Sequence, residues 1–113
     1  MRIRNATRGT VIAEGARVAR TLPEKIKGLL GEKTPNAMVF RTRWGIHTIG
    51  MRFPIDCIVC DSDGRVKATR VDLYPGRFFM WNPLWNILIE LPAGTIKESG
   101  TQTGDEIEFS EPV

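Results

Sequence analysis

An all-β fold is what this sequence predicts: one jelly-roll-like β-sandwich or barrel of roughly eight short strands, with a single short helix in its N-terminal half. Three observations carry the prediction. Glycine (11) and proline (7) are frequent for a chain of 113 residues, which favours many turns over long helices. Between those turns, period-two alternation or short apolar runs recur along the chain. Only one segment, near residues 21–31, has helical period together with helical end signals. At this length residues 1–113 read as a single domain with one core.

The elements follow in order. "MRIRNATRGTVIAEG" alternates apolar and polar residues with a break near Gly9, which predicts two edge strands. "TLPEKIKGLLG" supplies the helix. Thr21 stands three residues before Glu24, as in a capping box, and Pro23 suits the first turn. Leu22, Ile26, Leu29 and Leu30 share a face, and Gly31 can close the helix. "AMVFR" and "WGIHTIGM" read as strands with bends at Gly45 and Gly50. After Pro54, "IDCIVC" is apolar enough for a strand covered on both faces. "DSDG" turns it into "RVKATRVDLY", with Val66, Ala68 and Val71 expected inside. "PGRFFMWNPLW" is expected to be an aromatic loop, "NILIELPAG" a strand, "TIKESG" one helical turn and "TGDEIEF" a turn into the last strand.

Hydrophobic residues (42%) and charged residues (26%) are near globular values, and the net charge of +3 does not by itself imply nucleic acid. The charge is unevenly placed. Residues 1–43 hold ten Lys/Arg against three Glu, and residues 98–113 hold five acids and no base. Pairing across a sheet is the expected use of such halves. The chain shows no apolar signal-like run near its start and no stretch of 18 apolar residues. A cytoplasmic protein with no membrane partner is therefore expected.

"IHTIGMRFPIDCIVCDSDGRV" and "IELPAGTIKESGTQTGDEIEF", with "EKIKGLLG" before them, resemble domain of unknown function family 192, also called uncharacterised protein family 0127. The matching residues are His47, Thr48, Met51, Arg52, Pro54, Asp56, Asp61, Gly64, Glu90, Leu91, Pro92, Ala93 and Gly94. The resemblance implies a compact β-sandwich of jelly-roll character with a small helix. It implies no reaction and no catalytic residue. Cys57 and Cys60 stand where members show aliphatic residues, against a cysteine-based function.

Chemistry narrows the candidates further. Residues three apart on a strand face opposite ways, so Cys57 and Cys60 cannot share a metal, and one histidine is too few to complete a zinc site. No metal and no cofactor are expected. Asp61-Ser62-Asp63-Gly64 lacks the further acids of a calcium loop and reads as a turn. Asp56 falls inside a strand expected to be covered on both faces and needs a compensating partner; Arg52, four residues upstream, is the expected one. Glu90 would compete for it.

These residues suggest a non-catalytic binding module for a small, anionic ligand or a peptide. Its expected ligand-binding residues are His47, Thr48, Arg52, Asp56, Arg77, Trp81 and Glu90. An enzyme using His47, Asp56 or Glu90 as an acid–base pair is the first alternative. A homodimer through the aromatic residues 77–85 is the second. Nucleic acid is not the expected partner, because stacking on those aromatics would need the N-terminal arginines on the same face.

Overall fold

Apolar alternation sorts the chain into two layers on a central sheet. The computed structural model describes residues 1–19 and 36–111. Among them are ten strands and one short helix: β1 (Arg2–Asn5), β2 (Thr10–Ala13), β3 (Arg17–Val18), β4 (Met38–Arg41), β5 (Gly45–His47), β6 (Ile55–Cys60), β7 (Val66–Leu73), β8 (Phe78–Met80), β9 (Ile87–Pro92), α1 (Thr95–Ser99) and β10 (Ile107–Ser110). The all-β, sandwich-like class agrees with the sequence, with more strands than the eight expected and no closed barrel. The helix expected at residues 21–31 lies outside the described residues. "TIKES" does form its helical turn.

The central sheet has the order β3-β4-β9-β6-β7, and all its pairings are antiparallel except β3–β4. One face carries Val39, Ile58, Cys60, Ile87, Ile89 and Leu91 and packs on Ile3, Ile12 and Ile107 of the three-stranded sheet β10-β1-β2. The other carries Met38, Phe40, Cys57, Val59 and Leu88 and packs under Phe79, Trp81 and Met51. Among the described residues, that second cover is the two-stranded ribbon β5–β8 and its flanking loops. All six residues of "IDCIVC" are buried, as expected of a strand covered on both faces. Cys57 and Cys60 fall on opposite faces, again as strand geometry requires.

Two expectations need correction. The aromatic segment is not all loop: Phe78–Met80 is strand β8, paired with β5 through Gly45↔Met80, Ile46↔Phe79 and His47↔Phe78. Gly45 is required there, because a Cβ would lie 2.5 Å from the Phe79 carbonyl oxygen and from the Met80 sulfur. Val71 is half exposed rather than inside. Ile55 pairs with Leu73 but Cys57 pairs with Arg70, so β7 carries an extra residue there and the inside–outside alternation slips. Asp72, at the slip, has a left-handed φ of 51°.

Candidate functional site

Asp56 is fully buried on the face of β6 that packs on the three-stranded sheet, opposite Leu91. Its partner is not Arg52, which is exposed and makes no ion pair among the described residues. Instead, one carboxylate oxygen accepts the N–H groups of Gly94 (3.1 Å) and Ile96 (2.9 Å). The other accepts the N–H of Asp72 (3.1 Å). Three backbone donors do the work assigned to a guanidinium, since charge-assisted bonds of this kind compensate a buried carboxylate.

The same bonds solve a second problem. Helix α1 begins at Gly94 in a left-handed conformation (φ 95°) and has no side-chain cap of its own. A strand residue 38 positions away supplies the missing acceptor. At the bulge, the displaced Asp72 N–H finds its acceptor in the same group. Asp56 is thus a structural knot that joins β6, β7 and α1.

The acid–base constellation does not assemble. Glu90 pairs with Cys57 and Met38, so it faces the ribbon side of the sheet, opposite to Asp56. His47 is exposed, and its Nδ1 accepts the Ile49 N–H (3.2 Å). Burial first, then the Glu90 and Asp56 carboxylates, raises the Cys57 thiol well above its ordinary value. Burial pushes Cys60 up to about 12. Neither thiol is a ready nucleophile. Among the described residues no three His, Cys, Asp or Glu side chains converge as a metal site would need.

Thr48 and Trp81 are structural as well. The buried Thr48 hydroxyl donates to the Tyr74 carbonyl (2.6 Å) and accepts the Arg77 N–H (2.9 Å). Its backbone binds Arg77, Met51 and Gly76, so one threonine ties together the loops at one end of the ribbon. The Trp81 indole N–H donates to the Trp85 carbonyl (3.0 Å), and its ring packs at 5.2 Å on Phe79.

What remains open to solvent is the outward side of the ribbon. In β5–β8, Ile46 and Phe79 turn toward the core, which leaves His47, Phe78 and Met80 on the other side. Phe78 is 67% exposed and meets the His47 ring edge-on at 6.4 Å between centroids. Trp44 (63%), Ile49, Tyr74 and Leu84 (77%) are exposed around them. Trp44 sits in a three-residue turn closed by the Gly45 N–H and the Arg43 carbonyl (3.0 Å), with φ at 77°. That conformation is costly for an indole-bearing residue. Its own carbonyl accepts the Trp81 N–H (2.8 Å), which holds the turn against β8.

Arginines flank these exposed residues in the sequence. Residues 41–53 and 74–89 contain Arg41, Arg43, Arg52 and Arg77 and no Asp or Glu. Arg70 reaches the ribbon from β7, 5.8 Å from the Phe79 ring. None of the five is ion-paired among the described residues. Of the sequence-selected residues, His47, Arg52 and Arg77 belong to this surface, while Asp56, Thr48, Glu90 and Trp81 do not open onto it. Trp44 and Arg43 were missed.

Comparison with known proteins gives the lineage. The model of the family DUF192, described as "Uncharacterized ACR", matches residues 3–109. The chain belongs to the DUF192 family. A UPF0127 protein of Thermococcus sibiricus is 33% identical over 117 residues, spanning 93% of this chain and 72% of that protein. Two crystal structures share the fold of this DUF192 protein. One is a protein of unknown function from Novosphingobium aromaticivorans, with TM-score 0.80, 19% identity, and coverage of 96% of this chain and 82% of that one. The other is a "putative transcription regulator" from Sinorhizobium meliloti, with TM-score 0.80, 23% identity, and coverage of 95% and 89%.

Proposed function

We propose that this DUF192 protein is a non-catalytic binding module, and that its recognition surface is the outward side of the β5–β8 ribbon with the loops at its ends. Its ligand carries apolar or aromatic groups and negative charge. One observation carries the reading: solvent-exposed Trp44, Tyr74 and Phe78 fall in two carboxylate-free segments whose arginines are not ion-paired among the described residues. Contiguous exposed apolar surface on a folded chain marks a contact site. Unpaired guanidinium groups beside it select for an anion.

Catalysis has less support, because Asp56 and Glu90 lie on opposite sheet faces and among the described residues no carboxylate orients His47. A second copy is also the weaker partner. A two-fold contact through residues 77–85 would bring one arginine-rich, acid-free surface against another. The free, buried thiols of Cys57 and Cys60 suit a reducing, cytoplasmic setting.

The test is shift mapping by NMR with naphthalene-2-sulfonate, a small aromatic anion. Residues 44–50 and 77–84 are expected to shift together and to saturate together. Shifts confined to other parts of the protein, or none at millimolar probe, would defeat the reading.

A further inference from the structure

Resting on that reading, we infer that the ligand is single-stranded nucleic acid, with bases stacked on Trp44, Tyr74 and Phe78 and phosphates held by Arg43, Arg52 and Arg77. The ribbon presents flat, exposed rings from a rigid two-stranded support, and bases stack on aromatic side chains displayed in this way whatever their sequence.

The shape of the surface favours an extended polymer over a small molecule. Small ligands are mostly enclosed by concave sites. A cavity of about 450 Å³ does exist, but it lies among Met1, Val39, Ile87 and Phe109, and none of the exposed rings lines it. An acidic peptide would match the charge. Strands of only three residues, however, give another strand little edge to pair with.

The charge argument also changes once the structure is in hand. The N-terminal arginines are consumed: Arg2 binds Glu14 (2.7 Å), Arg4 lies 3.6 Å from Glu108 and Arg8 is 3.1 Å from Asp105. A different set adjoins the rings in the chain: Arg43 precedes Trp44, Arg77 precedes Phe78, and Arg52 lies in the same acid-free segment as Trp44, none of them ion-paired among the described residues. Stacking therefore does not need the N-terminal arginines.

The experiment is fluorescence anisotropy of the full chain with labelled dT12 and rU12 at 50 and 200 mM KCl. Three phosphate contacts predict affinity about 20-fold lower at the higher salt. Trp44→Ala and Phe78→Ala should each weaken binding about 10-fold or more. Arg77→Gln should reduce the salt dependence, and Arg4→Gln should leave binding unchanged. All these side chains are at least partly exposed, and unchanged circular dichroism would show that the variants fold.

If a Glu/Tyr copolymer or phosphatidylserine vesicles bind with the same dependence on Trp44 and Phe78 while oligonucleotides do not, the nucleic-acid assignment is overturned and the binding surface stands. Oligonucleotide binding indifferent to both ring substitutions overturns the assignment. If no anionic probe binds at all, the assignment and the proposed function fall together.

Discussion

The two covers of the central sheet use the same residue types to opposite ends. On the three-stranded cover, arginine is paired: Arg2 with Glu14, Arg4 with Glu108, Arg8 with Asp105, and at its margin Arg65 with Glu106 at 2.6 Å. Its large apolar side chains, Val11 apart, are mostly turned inward. On the ribbon cover, arginine is not ion-paired among the described residues and large apolar side chains point to water. One cover is built for stability. The other leaves its exposed rings and arginines without a carboxylate partner among the described residues.

The sharpest way to break this contrast is to attack the knot beneath the paired cover. Asp56→Ala leaves three N–H groups without their acceptor, that of Ile96 buried and those of Asp72 and Gly94 part-buried, and should destabilise the protein by about 3–4 kcal/mol in urea unfolding. A loss under about 1 kcal/mol would show that the knot is dispensable.

Next comes Asp105, buried in the same cover. Burial alone would raise its carboxyl. Hydrogen bonds from the Asn5 and Arg8 side chains and the Gln102 N–H outweigh burial and hold it below its ordinary value. A carboxyl depressed in the folded state adds stability above its unfolded value, and loses that contribution as pH falls through the folded value. The melting temperature should therefore drop on acidification below about pH 4, and Asp105→Asn should flatten that drop while lowering stability by about 1–3 kcal/mol at pH 7. An unchanged acid profile would sink the assignment.

Smaller effects are expected on the ribbon. Trp44→Gly removes a positive-φ penalty and should raise stability by about 0.5 kcal/mol while weakening oligonucleotide binding about 10-fold or more. A large loss would mean that the indole supports the fold. Smallest of all is a pair of charge changes. Arg65→Gln gives up an exposed ion pair and should cost about 0.2–0.4 kcal/mol, whereas Arg43→Gln, with no carboxylate to lose among the described residues, should be neutral or slightly stabilising. Equal losses would erase the distinction between the covers.

Much of this was legible in the residues. "IDCIVC" announced a strand buried on both faces, "TIKES" a helical turn, and the opposed cysteines an inert pair. The partner of Asp56 was misread because proximity in sequence favoured Arg52. Two deficits were nevertheless visible: a buried acid without a partner, and a helical turn whose Gly94 start offers no capping side chain. Each completes the other. The ribbon was harder to see. Gly76, Pro75 and Pro83 disguised Phe78–Met80 as loop, and the strained turn that exposes Trp44 has no signature in composition.

The bonds of Asp56 reach residues 16, 38 and 40 positions away. All three donors lie on elements whose placement depends on the packed layers, which predicts a low φ-value for Asp56. Loss of this carboxylate should thus hasten unfolding far more than it slows refolding. A single acid at the heart of the molecule then acts chiefly as a brake on how soon the native state is left.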